Sequence, residues 1–257
     1  MTNSIDCHYS KMGDGPGLFL IHGIGATEDA WRFIIPKLVK HFTVITYDLR
    51  GHGKSPVTHK NFTFDELVID LERIREKTKI KKAHFIGHSL GGMIAPAYAK
   101  KFPEKTLSIG LLSTVAGRSL EDKNKILDII RKIETEGIAK IISKLTNRWF
   151  TDEFIQNNSL IVEKRIKQVI DTDPEVFLNV FKIYAKTEML SWLSDINKPC
   201  LVMTGENDLG CSPKHNEKIS KELKNSQLII LPKVKHSILI EKPKETLNNI
   251  LKFILNL

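Results

Sequence analysis

Cysteine is scarce in this chain. Cys7, Cys200 and Cys211 are too few for a disulfide framework, and their spacing matches no metal-site pattern. Their scarcity points to a reducing compartment, and we expect a cytoplasmic protein. Long apolar runs are missing too: none approaches the roughly 18 residues of a membrane span. The N-terminus lacks the basic start and apolar core of a secretory signal. Basic charge exceeds acidic, with a net charge of +9. Yet there is no arginine-rich stripe and no interleaved aromatic platform. The lysines are scattered, with short pairs such as Lys81-Lys82 and Lys100-Lys101. This pattern reads as a solvated face and argues against a nucleic-acid partner. The expected partner is a small molecule, and the sequence leaves room for a homo-oligomer. The glycine-rich stretch from Asp48 to Ser55 lacks the spacing of a nucleotide-binding phosphate loop.

What the sequence does contain is Gly87-His88-Ser89-Leu90-Gly91-Gly92. An apolar run, Ala83 to Ile86, precedes it and reads as a buried strand. Met93 to Phe102 follows and reads as a helix. A G-x-S-x-G pattern between a strand and a helix predicts a nucleophile elbow, a tight turn that presents Ser89 above a sheet. The Leu90 N–H, at the start of the helix, points where an oxyanion would form. A second donor is expected from Ile24, in the loop His22-Gly23-Ile24-Gly25 that follows the apolar strand Leu18–Ile21. His22 reads as a brace for that loop.

The rest of the chain alternates. Strands are expected at 5–12, 43–47, 106–112, 200–204 and 227–231. Helices are expected at 27–40, interrupted by Pro36, and at 64–79, 213–223 and 241–257. Alternation of this kind predicts an α/β fold built on a mostly parallel, doubly wound sheet. Residues 115–195 break the rhythm with helical patterns only. They predict a helical cap inserted into a core made of residues 1–114 and 196–257. Within the cap, Arg148-Trp149-Phe150 lies between two helices. Trp149 is a candidate pocket wall, and Arg148 a candidate contact for a substrate anion; the bland alternatives are an aromatic anchor and a surface arginine.

A serine hydroxyl needs a base, and the base an orienting carboxylate. Asp208, in the loop after the strand at 200–204, is preferred over Glu206 because it has more room to reach across the sheet. His236 is singled out among nine histidines because its loop follows the last strand. Cys211 has no partner of its own and is taken as incidental. The order Ser89, Asp208, His236 matches that of α/β-hydrolases.

On these residues, on Asp48-Leu49-Arg50-Gly51-His52-Gly53-Lys54-Ser55 and on Arg148-Trp149-Phe150-Thr151, the chain resembles the α/β-hydrolase superfamily over essentially its whole length. Within that superfamily it is similar to 3-oxoadipate enol-lactonases and related capped serine hydrolases. The resemblance implies hydrolysis of an ester or lactone through an acyl-enzyme, without metal or cofactor. A carbon–carbon bond hydrolase, a perhydrolase and a ligand receptor on the same scaffold are the competing readings. The chain departs from the family at Val234-Lys235-His236-Ser237, where a glycine commonly precedes the histidine, and in short N-terminal strands.

Overall fold

A computed structural model describes residues 5–57, 59 and 61–257. In chain order the elements are β1 (Tyr9–Met12), β2 (Gly17–Ile21), α1 (Ile35–Leu38), β3 (Thr43–Tyr47), α2 (Phe64–Thr78), β4 (Ala83–His88), α3 (Gly91–Lys101) and β5 (Thr106–Leu112). There follow α4 (Leu120–Glu136), α5 (Ile138–Trp149), α6 (Asp152–Asn157), α7 (Ser159–Ile170) and α8 (Pro174–Lys186). The chain closes with β6 (Cys200–Gly205), α9 (Pro213–Glu222), β7 (Ser226–Leu231), α10 (Ile238–Glu241) and α11 (Pro243–Leu255).

The strands form one sheet in the order β1-β3-β2-β4-β5-β6-β7. β1 runs antiparallel to β3 and every other pair is parallel. The continuous apolar runs seen in the sequence follow from this arrangement, because helices cover both faces. Along β2, Phe19 and Ile21 join the core on one face, while Leu18 and Leu20 join the core on the other. From β2 the chain first winds to β3 on one side and then returns to β4 on the other. The carboxyl ends of β2 and β4 therefore flank a topological switch point, the place where such sheets hold ligands.

Between β5 and β6 the chain carries helices and no strand, as the 115–195 pattern predicts. This insert has an apolar cluster of its own, which includes Ile138, Ile141, Leu145, Val169 and Phe177. Two expected elements differ in extent. The helix expected at 27–40 is a 3₁₀ turn, Glu28–Trp31, followed by the four-residue α1. Pro36 has no N–H to donate, and the Glu28 N–H is drawn to Asp48 Oδ1 at 2.7 Å. Trp31, Ile34 and Leu38 are buried all the same. The first strand covers only Tyr9–Met12 of the expected 5–12. Among the described residues, no helix is long and apolar enough to cross a membrane.

Candidate active site

Ser89 lies at the end of β4 with φ of 57°, in the left-handed region that a side chain rarely adopts. The surroundings impose this conformation. The Ser89 N–H donates to Leu112 O at 2.8 Å, and Thr114 Oγ1 donates to Ser89 O at 2.8 Å. The turn is so tight that its flanking positions admit no side chain. A Cβ on Gly87 would stand 1.8 Å from Gly91 O, and one on Gly91 would stand 2.1 Å from Ile21 O. Glycine at 87 and 91 is thus required by close approach. The Ser89 hydroxyl has no hydrogen bond within the described residues, so it is free to turn toward a base.

The loop after β2 is held from below by two neutral histidines. His22 Nδ1 donates to Gly23 O at 2.7 Å, and His22 Nε2 accepts from Leu49 N at 2.9 Å. His52 Nδ1 donates to Arg50 O, and His52 Nε2 accepts from Gly25 N at 3.1 Å. Burial pushes the His22 ring well below the usual imidazole range and the His52 ring down to about 4. Both rings therefore stay neutral, which this network demands. Ile24 and Leu90 have backbone N–H groups without an acceptor among the described residues. They are the two donors expected for an oxyanion.

His236 follows β7 and faces Asp208, which follows β6. Asp208 Oδ2 accepts from His236 Nδ1 at 2.7 Å. Asp208 Oδ1 accepts from Gly210 N at 2.9 Å and from Cys211 N at 2.8 Å. Burial alone would raise the Asp208 carboxyl, but the imidazolium and these donors outweigh it and hold the group below its ordinary value. Burial alone would lower His236. The Asp208 carboxylate more than offsets this and raises it. His88 lies directly against the pair: its Nε2 donates to His236 O at 3.0 Å. Lys235 stands where a glycine is common, and its ammonium reaches Asn147 O at 2.9 Å and Asp152 Oδ1 at 3.1 Å. The departure thus ties the His236 loop to the insert, as do Ser237 N to Trp149 O at 2.9 Å and Thr151 Oγ1 to Glu241 Oε2 at 2.6 Å.

Ser89, Asp208 and His236 border one cavity of about 630 Å³, which Ile24, Arg148 and Trp149 also line. Leu90 is wholly buried beneath Ser89 and offers only its N–H. Asp208, Cys211 and His236 bring a carboxylate oxygen, a thiol and an imidazole nitrogen within 4.8 Å of one another. A cation there would have to displace the hydrogen bonds that already engage both Asp208 oxygens, so this donor set does not fit a metal centre.

Sequence reasoning missed two arginines and the surroundings of Cys211. Cys211 lines the cavity, and its Sγ lies 3.5 Å from Tyr184 Oη. Arg118, buried against the Tyr184 ring, and Arg165, stacked on Trp149, line it as well. Arg32, Arg50, Arg73, Arg75 and Arg131 each pair with a carboxylate. Arg118, Arg148 and Arg165 have none within 4.0 Å among the described residues, and all three border the cavity. Arg118 follows the carboxyl end of β5, a position where a signal existed. Arg165 sits among lysines on α7, and nothing in the sequence marks it.

The fold is that of the α/β-hydrolases, and the relatives found support a hydrolase of that superfamily. Residues 16–135 match the family model of the α/β-hydrolase fold. A 3-oxoadipate enol-lactonase of Acinetobacter baylyi is 27% identical over 90% of this chain and 86% of its own length. An (E)-2-((N-methylformamido)methylene)succinate hydrolase of the same organism is 23% identical over 95% of this chain and 92% of its own. The crystal structure of the enol-lactonase from Burkholderia xenovorans superposes with a TM-score of 0.90 at 24% identity, over 97% of this chain and 96% of that one.

Proposed function

We propose that the chain hydrolyses an ester or lactone that carries a carboxylate, through an acyl-enzyme on Ser89. The reaction rests on one observation above all. A buried Asp208–His236 pair and a strained, unbonded Ser89 hydroxyl share a single cavity. His236 Nε2 takes the Ser89 proton as Oγ attacks the carbonyl. The Ile24 and Leu90 N–H groups receive the oxyanion. His236 then protonates the leaving oxygen and, in the second half, activates water. Asp208 holds the imidazole in the required tautomer and stabilises its charged form. The helices of residues 115–195 act as the lid that closes this space from water.

The carboxylate preference is supported by the arginines. Among the described residues, guanidinium groups without a carboxylate gather around this cavity, and Arg148 is the half-buried one with no hydrogen bond of its own there. A substrate carboxylate matches its planar donor fork. The test is kcat/KM for a matched pair, a neutral p-nitrophenyl butyrate and the mono-p-nitrophenyl ester of succinate, on wild type and Arg148→Gln. The reading expects a wild-type preference for the charged ester and a KM for it about 10-fold or more higher in the variant, a loss of the size of one charge-assisted hydrogen bond. Indifference of both proteins to the carboxylate would contradict it.

A further inference from the structure

The oxyanion loop is gripped from two sides. From below, His22 and His52 hold it to the core. From above, α7 holds it to the insert at successive points. Arg165 Nη1 donates to Gly25 O, and Arg165 Nη2 donates to Ile24 O at 3.0 Å. Gln168 Nε2 donates to Thr27 Oγ1 at 3.0 Å. Lys164 Nζ meets Asp29 Oδ2 at 2.9 Å. The Arg165 guanidinium lies 4.9 Å from the Trp149 ring centroid, so its own place is set by the lid.

The loop needs such a grip. Ile24 presents its N–H to the cavity without an intramolecular acceptor. The following residue, Gly25, has φ of 58°, and a Cβ on it would stand 2.9 Å from Phe177 and 3.2 Å from Val169 of the insert. A peptide in this position has no strand or helix to orient it. Besides His22 Nδ1 and Ala26 N on Gly23 O, its fixed points are Gly25 N on His52 and the two carbonyls on Arg165. Arg165 also differs from an ordinary structural arginine in having no carboxylate. Burial lowers it to about 10, which still leaves it charged at neutral pH. Its charge reaches the site, because it helps to keep His22, His52 and His88 unprotonated.

The geometry points to Arg165 as a positioning residue of the oxyanion hole: from the lid it fixes the carbonyls of Ile24 and Gly25, and so aims the Ile24 N–H at the tetrahedral intermediate. This rests on the Ser89 hydrolase reading.

The test uses the full-length chain with Arg165→Met and Arg165→Lys. The substrate is neutral p-nitrophenyl butyrate, so that any contact of Arg165 with a substrate carboxylate is silent. Active sites are counted by titration with a p-nitrophenyl phosphonate, which removes misfolded protein from kcat. In Arg165→Met, kcat per site should fall about 10- to 100-fold, somewhat less than the ~10²–10³ of losing a hole donor outright, with KM changed less than about 3-fold. Affinity for a trifluoromethyl ketone, which places an oxyanion in the hole, should fall by the same factor as kcat/KM. Arg165→Lys should recover part of both. Amide exchange should quicken at residues 23–28 and stay constant at 88–92. Unchanged kcat and ketone affinity, or a loss confined to KM for a carboxylated ester, would overturn the proposal and make Arg165 a substrate contact or a structural residue. A wild type that neither hydrolyses esters nor takes up phosphonate at Ser89 would remove the hydrolase reading and the hole with it. That failure would be seen before any variant is made.

Discussion

Replacing Asp208 with asparagine isolates the part of the site that is hardest to replace. Both carboxylate oxygens are acceptors only. Oδ1 takes two backbone N–H groups, from Gly210 and Cys211, and Oδ2 takes His236 Nδ1–H at 2.7 Å. Asparagine supplies one acceptor oxygen and one donor NH₂. Two donors fixed in the backbone outvote one on a ring that can change tautomer, so the amide oxygen should settle toward Gly210 and Cys211. The NH₂ then faces His236 Nδ1. The ring answers by moving its proton to Nε2, where it can no longer accept from Ser89. The fold should survive, because the volume is unchanged and two of three hydrogen bonds remain. Turnover should not: kcat should fall on the order of 10⁴-fold, as when a triad histidine is held in the wrong tautomer. The assay is steady-state hydrolysis of a neutral p-nitrophenyl ester, with Tm measured alongside. A kcat within about 10-fold of wild type, in a folded variant, would refute the assignment of Asp208 as the orienting acid.

Other consequences can be checked in the same preparations. His236 acts as a base only when neutral. Burial lowers its pKa, but the Asp208 carboxylate raises it further. Activity should therefore be lost as pH falls through a midpoint above the free-imidazole value of about 6.5, read as the acid limb of kcat/KM. The stability linkage has the matching sign: the raised pKa stabilises the folded state fully below the unfolded value, and this contribution disappears as pH rises through the folded one. Away from the site, Arg50 is wholly buried and gives Nε and Nη2 to Asp70 at 2.6 and 2.8 Å. Asp70→Ala leaves that charge with Glu66 as its remaining carboxylate, and should cost about 3 kcal/mol in urea denaturation.

The elbow was readable because its signal is local. Two glycines, a serine and flanking apolar runs lie within twenty residues, and the steric need for Gly87 and Gly91 is a matter of neighbouring backbone. Asp208 and His236 were readable by place, each in a loop after a late strand. Other features depend on contacts that no local pattern records. The split of the expected 27–40 helix falls at Pro36, while the Glu28 N–H at its start is held by Asp48, twenty residues further on. Arg165 belongs to a helix whose polar side looks alike whether it meets water or a cavity. Only the folded insert shows that it turns toward Ile24 and Gly25. Lys235 looked like a loss of a small residue and is instead a tether to Asn147 and Asp152.

Ser89 is proposed as the nucleophile, with Cys211, the other nucleophilic side chain beside His236, a bystander. Intact-mass and peptide mapping after a fluorophosphonate reagent test it most directly. One equivalent of adduct is expected, on Ser89, absent in Ser89→Ala and much slower to form in Asp208→Asn. An adduct on Cys211, or labelling that persists in Ser89→Ala, would contradict it.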